Sequence, residues 1–174
     1  MKEEGFAADP LTGLYNRRYI VQELERHIEI YKRYGRPFAL LRIRFDNLKS
    51  INDTFGDEGE DSVLQHLVTL MEVNVRDVDI ACRYEEDEFV VIMPETDKQA
   101  VQAVGRRIAN SVSSTRFNIG DSFAAVEVSF GAVSCPEDGA EAEVLLQAAV
   151  EQTGPGDKPP VPADLPPNPW PPHS

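Results

Sequence analysis

Three charged stretches carry residue types that bind phosphates, cations or other charged groups. Arg44 and Asp46 close an apolar run, R-D-V-D spans Arg76–Asp79, and R-Y-E-E-D-E-F spans Arg83–Phe89. An arginine forks onto phosphate oxygens, while a carboxylate accepts from N–H donors or ligates a hard cation such as Mg²⁺. A guanidinium cannot replace a carboxylate at a cation, because it stays protonated and has no lone pair to offer. R-x-x-D alone is a common pattern. Its alternative reading is a helix-end arginine paired locally with Asp79 or Asp77, worth about 0–1 kcal/mol if exposed. Other chemistry is thinly supplied. Cys82 and Cys135 are too few and too far apart for a disulfide framework or a zinc site, and His27, His66 and His173 are scattered, so all five read as packing or surface. D-E-G-E-D at Asp57–Asp61 is a dense anionic loop that reads as a solvated face.

The frame for these residues is small. A chain of 174 residues allows one domain and little more. A formal charge of −13 and a pI near 4.6 argue against general binding to nucleic-acid polymers, which rests on excess Lys and Arg. No apolar run approaches the roughly 18 residues of a membrane span, and residues 1–20 lack the apolar stretch of a signal peptide. The expected setting is the reducing cytoplasm. Nine of the thirteen prolines fall within Pro155–Pro172, so residues 153–174 read as a Pro-rich disordered or polyproline tail whose Trp170 could serve as a docking peptide. Residues 1–8 are then a lead-in and residues 9–152 the folded domain.

Within that domain, Ile20, Leu24, Ile28 and Tyr31 recur at helical spacing, predicting a helix over residues 16–34 that is stopped by Gly35 and Pro37. Phe38–Phe45 ends in strand alternation, with Leu41, Ile43 and Phe45 on one side and Arg42 and Arg44 on the other. Val63, Leu64, Leu67, Val68, Met71 and Val75 predict a helix over residues 60–76. I-A-C-R-Y and F-V-V-I-M-P flank E-E-D-E as a hairpin. Val101, Val104, Ile108 and Val112 mark a third helix, Ala125–Ser134 a strand, and Val144–Ala149 the start of a last helix. The fold class is therefore α+β, with helices covering a mixed or antiparallel sheet.

Four motifs in this order resemble the GGDEF (diguanylate cyclase) family, whose fold is similar to the palm of nucleotide cyclases and polymerases. D-P-L-T-G-L-Y-N-R-R (Asp9–Arg18) resembles its opening motif, F-D-N-L-K-S-I-N-D-T-F-G (Phe45–Gly56) its substrate loop, R-Y-E-E-D-E-F its signature hairpin, and V-S-F-G-A-V (Val128–Val133) a late strand. The resemblance implies condensation of two GTP molecules into cyclic di-GMP across a homodimer, with two divalent cations per half-site. It places one metal carboxylate at the end of the first strand and the other at the third signature position. It also places guanine-reading residues at Asn52 and Asp61, a phosphate-loop lysine at Lys49, and a product-binding R-x-x-D site at Arg76 and Asp79, with Arg83 close by. There the arginine would take a phosphate or the O6/N7 edge of guanine, and the carboxylate would accept from guanine N1–H and N2–H.

The departures argue against turnover. Asp87 keeps the signature carboxylate, but the first-strand ligand falls at Arg44, and Asp46 matches a second aspartate that is not the main ligand. Glu85 and Glu86 stand where the family has Gly-Gly, so they are expected to strain or reshape the turn and to bring anions near a triphosphate. At 4 Å and an effective dielectric of about 20, one such repulsion is about 4 kcal/mol before screening. Leu145–Lys158 drops the aromatic and the basic pair of the family's C-terminal phosphate grip, then runs into the proline tail. Asp87, Glu88, Arg44, Glu85 and Glu86 are thus vestigial catalytic positions and Lys49, Asn52 and Asp61 vestigial GTP contacts. No metal or other cofactor is expected, Mg²⁺ entering only with residual cyclase activity. Arg44 is expected to form a semi-buried internal ion pair with Asp87 in place of the cation. The resulting expectation is a non-catalytic domain that senses cyclic di-GMP through Arg76, Asp79 and Arg83 and signals to a protein partner. A nucleotide-independent scaffold and a slow cyclase are its alternatives.

Overall fold

The computed structural model describes residues 8–153. Its chain order is β1 (Tyr15–Asn16), α1 (Arg17–Tyr34), β2 (Phe38–Phe45), α2 (Leu48–Glu72), β3 (Ile80–Glu85), β4 (Glu88–Pro94), α3 (Lys98–Ser113), β5 (Phe117–Ile119), β6 (Ser122–Ala124), β7 (Val128–Cys135) and α4 (Ala142–Glu151). Five strands form one sheet in the order β1-β3-β4-β2-β7, and β5 and β6 pair as a separate small hairpin. Only the β1–β3 pairing is parallel in the large sheet, so the sheet is mixed, as the strand and helix alternation predicts.

Strand alternation sorts β2 into two cores. Ala39, Leu41, Ile43 and Phe45 join Phe89, Val91 and Met93 under α2 and α3, while Phe38 and Leu40 join Val90, Ile92, Leu24, Ile28, Leu145 and Ala149 under α1 and α4. Each of the Val, Leu, Ile, Phe and Met side chains among them contributes about 1.5–3 kcal/mol by leaving water. Arg42 lies on the α1–α4 side of this alternation and is buried with it, whereas Arg44, at the strand's end, is exposed. Local signals set the helix ends. Asn16 accepts from the Tyr19 amide at 3.0 Å as an N-cap, and Gly35 turns left-handed at φ 71° to close α1 on the Tyr31 carbonyl.

Several boundaries differ from the sequence reading. The second helix starts at Leu48 rather than residue 60 and ends at Glu72 rather than 76, with a break at Gly56, whose φ of 75° suits glycine. Leu48, Ile51 and Phe55 supply the helical spacing of its first piece, and Val75 falls in the turn that follows. The Asp57–Asp61 run is accordingly helical and not a loop. The late strand begins at Val128, because Ala125–Glu127 are pinned to Asn47: its side-chain amide donates to the Ala125 carbonyl at 2.8 Å and accepts from the Glu127 amide at 2.9 Å. Thr153 still belongs to the fold, donating its hydroxyl to the Ala149 carbonyl. The rest of the proline-rich segment, Trp170 and His173 lie outside the described residues, as do residues 1–7. No helix among the described residues is long and apolar enough to cross a membrane.

Candidate functional site

The β3–β4 hairpin brings Asp87 to the end of β2. The Phe45 amide donates to the Asp87 carbonyl at 2.9 Å, which docks the turn on the strand that carries Arg44. Arg44 Nε lies 3.6 Å from Asp87 Oδ2 and 3.9 Å from Asp46 Oδ1. Arg44 and Asp87 stay within ion-pair range but beyond a hydrogen bond, which counts against the semi-buried internal pair expected in place of the cation. The two side chains are 51% and 36% exposed, so the contact contributes about 0–1 kcal/mol and not the few expected of a semi-buried pair. Asp46 is occupied on its other side by the Ser129 hydroxyl. This donor set does not fit a divalent cation: a fixed positive charge stands between the two carboxylates. Among the described residues no group of three His, Cys, Asp or Glu is arranged around a common point.

The glutamates that replace glycine do not strain the turn. Among the described residues only Glu95 is a non-glycine with left-handed backbone, and the β3–β4 pairing shifts register between Arg83 and Glu85. Glu85 turns outward into an ion pair with Arg17, whose guanidinium also stacks 4.4 Å over the Tyr84 ring. Glu88 is held by Arg42 through Nε at 3.0 Å and Nη2 at 2.6 Å, with side-chain exposures of only 17% and 9%. Both pairs border a hollow of about 430 Å³ that α4 closes with Leu146, Gln147 and Val150. The sequence reading missed Arg42. Its position two residues before Arg44 placed both on one side of β2, which is the signal that pairs it with β4.

The positions that would contact GTP are dispersed or engaged. Asn52 donates its amide to Asp57 at 2.7 Å and to Glu60 at 3.0 Å, so its donors are spent on neighbouring carboxylates. Lys49 is exposed on the first piece of α2, and Asp61 is half-buried on the second.

Arg76 and Asp79 do meet. The Arg76 amide donates to Asp79 Oδ2 at 2.7 Å, and its guanidinium reaches Oδ2 at 3.4 Å through Nε and Oδ1 at 2.9 Å through Nη2. Nη2 also donates to the Pro94 carbonyl at 2.9 Å and to Thr96 Oγ1 at 2.8 Å. The Asp79 side chain is completely covered while that of Arg76 is half-exposed, and both residues border a hollow of about 300 Å³ lined also by Tyr15, Val75 and Ile80. Thr96 and Pro94 were not singled out from the sequence, and eighteen or more residues separate them from Arg76. Arg83 does not join this group. It donates twice to the Glu86 carbonyl, at 3.2 and 3.0 Å, and lies 3.4 Å from Asp9 Oδ2, an oxygen that also accepts from the Thr12 amide and hydroxyl. It therefore ties the opening turn of the domain to the hairpin tip.

The cysteines read as packing are packing: both are buried and free, and burial pushes the Cys82 thiol up to about 12 and raises Cys135 as well. His27 is buried against the Glu23 carbonyl and His66 stacks edgewise on Phe117.

Comparison with known proteins agrees with this architecture. The family model described as "Diguanylate cyclase, GGDEF domain" matches residues 6–153. The response regulator PleD of Caulobacter vibrioides is 38% identical over 145 residues, covering 82% of this chain and 32% of PleD, so the chain spans about a third of that relative's length. The diguanylate cyclase SiaD from Pseudomonas aeruginosa, solved in complex with its activator SiaC, superposes with a TM-score of 0.79 at 29% identity, over 86% of this chain and 57% of that one. A microbial GGDEF domain, reported in a novel interaction mode with bis-(3,5)-cyclic di-GMP, superposes with a TM-score of 0.69 at 30% identity, over 83% of this chain and 86% of that one.

Proposed function

Because this chain belongs to the GGDEF family of diguanylate cyclase domains, we propose that it binds cyclic di-GMP without making it and relays that binding to a protein partner. The observation that carries the reading is Arg44, whose guanidinium lies 3.6 Å from the one signature carboxylate that could ligate a cation. Phosphoryl transfer needs cations to neutralise the triphosphate and to activate the attacking hydroxyl. A permanent guanidinium at that point repels them.

Binding is supported separately. Arg76 offers a half-exposed guanidinium beside a hollow, the chemistry that recognises a phosphate or the O6/N7 edge of guanine. A GGDEF relative is known with cyclic di-GMP, and SiaD is known with a protein activator, which makes both kinds of partner reasonable for this chain. The reading sets the domain in the cytoplasm and does not require the homodimer that turnover would need.

Incubation with GTP and Mg²⁺, followed by chromatography, is expected to yield no cyclic di-GMP; product that disappears in Asp87→Ala would overturn the loss of activity. Titration calorimetry with cyclic di-GMP is expected to give binding that Arg76→Ala weakens by roughly tenfold or more, the scale of a charge-assisted hydrogen bond. One observation favours a second reading, a nucleotide-free scaffold: Arg76 and Asp79 already satisfy each other. No heat from the unmodified protein would select it.

A further inference from the structure

We propose that Arg76 is a lid closed over Asp79 and that Thr96 is the latch that holds it shut; this rests on the binding reading above and concerns how that site is controlled. Among the described residues every hydrogen bond to the Asp79 carboxylate comes from residue 76, through its amide, Nε and Nη2, and the Asp79 side chain has 0% exposure against 52% for Arg76. The carboxylate that would accept N–H donors of a guanine base is therefore shut off, and the edge of the guanidinium that would fork onto a ligand is already used.

The latch has its own geometry. Nη2 carries two hydrogens and faces three acceptors: Asp79 Oδ1 at 2.9 Å, the Pro94 carbonyl at 2.9 Å and Thr96 Oγ1 at 2.8 Å. The buried Thr96 hydroxyl spends its own proton on the Pro94 carbonyl at 3.0 Å, which leaves its lone pairs facing Arg76. The loop that aims these acceptors is fixed at both ends. Glu95 holds left-handed backbone at φ 50° while its amide donates to the Pro37 carbonyl at 2.9 Å, and Asp97 caps α3 by accepting from the Ala100 amide at 2.7 Å. Outward rotation of the half-exposed Arg76 side chain frees its fork and uncovers Asp79 in the same movement. A guanine nucleotide that uses both groups binds only the open state, so its apparent affinity falls by the fraction of time the lid is open. Because Thr96 directly precedes the α3 cap, opening also removes a tie between the α2–β3 connection and the start of α3.

The test uses Thr96→Val, which keeps the side-chain shape and deletes the hydroxyl, with Thr96→Ser as the variant that retains it and Thr96→Ala as a second deletion should the valine protein fail to fold. Without any ligand, solvent exchange of the Arg76 Nε–H proton, followed by NMR and assigned by its loss in Arg76→Lys, is expected to accelerate several-fold in the valine or alanine variant and to stay unchanged in the serine variant. With cyclic di-GMP, calorimetry is expected to show roughly three- to tenfold tighter binding for the deletion and wild-type binding for serine, the affinity equivalent of one ordinary net hydrogen bond. Unchanged Nε–H exchange, or deletion variants that bind no more tightly than a wild-type protein that does bind, overturns the latch. If no variant binds cyclic di-GMP, the binding reading fails, and the ligand-free exchange alone upholds or rejects the lid.

Discussion

Replacing Glu88 by alanine separates the structural from the chemical content of the signature hairpin. Glu88 takes both of its close contacts from Arg42, at 3.0 and 2.6 Å, and the two side chains are only 17% and 9% exposed. Deleting the carboxylate leaves a guanidinium that cannot lose its proton facing Val90 and α4. Removing one partner of such a pair typically costs about 3–5 kcal/mol, and the opening beside α4 admits some water, so we expect about 3 kcal/mol. At a urea slope of about 2 kcal/mol/M for a domain of this size, the unfolding midpoint should fall by about 1.5 M. Asp87→Ala is the internal control. Its partner Arg44 is half-exposed at 3.6 Å, so its cost should stay within about 1 kcal/mol. The double change Arg42→Leu with Glu88→Met should recover most of the loss, since no unpaired charge remains. Equal midpoints for Glu88→Ala and Asp87→Ala, or a double variant no better than Glu88→Ala, would refute the assignment of Glu88 to folding.

Three other outcomes follow from the same structure. Arg44→Asp puts a carboxylate back beside Asp87 and Asp46, and Mn²⁺ binding followed by water-proton relaxation should become measurable in it; saturable Mn²⁺ binding of similar strength in the wild type would contradict the charge argument. Cys82 is held protonated by burial, its pKa pushed up to about 12 from an ordinary thiol value of about 9, so the stability it contributes is intact below pH 9 and drains away as the pH rises towards 12. Wild type should therefore lose up to about 1.4 kcal/mol per pH unit in that window relative to Cys82→Ala, and parallel stability–pH curves from urea titrations would count against this. In Gly131→Ala a new Cβ would meet the Ala149 carbonyl oxygen at 2.1 Å, so α4 must shift off β7, at a cost of about 1–3 kcal/mol in thermal or urea unfolding; an unchanged midpoint would show that α4 docks more loosely than its contacts imply.

Apolar periodicity made most of the fold legible. β2 runs over the residues its alternation predicts, and α1 and α3 sit on theirs, because each buries one face against a sheet. The first piece of α2 was hidden by polar residues between Leu48, Ile51 and Phe55, and by Gly56, which breaks a helix without ending it. At the site, the family resemblance placed Arg44 near Asp87, and the three-residue spacing of one short turn placed Arg76 beside Asp79. Neither gave the depth of its pair. Arg42 and Arg44 look alike on the page, but one lies under α4 and the other at the mouth of the strand, and only packing decides which pair is dry. Arg83 was misplaced for a similar reason: four residues of extended strand carry it from Asp79 to the opposite end of β3. Thr96 was invisible because its link to Arg76 crosses two strands of the sheet.

The double grip of Arg83 has a mechanical consequence. One guanidinium holds both the carboxylate that organises residues 9–14 and the carbonyl at the hairpin tip, so the domain's threshold and its most altered motif are geared together. Any segment fused ahead of Asp9 joins the chain beside a carboxylate that is tied to that tip. An engineer who wants a sensor to drive this domain should keep Asp9, Thr12 and Arg83, and one who wants the two insulated should cut there first.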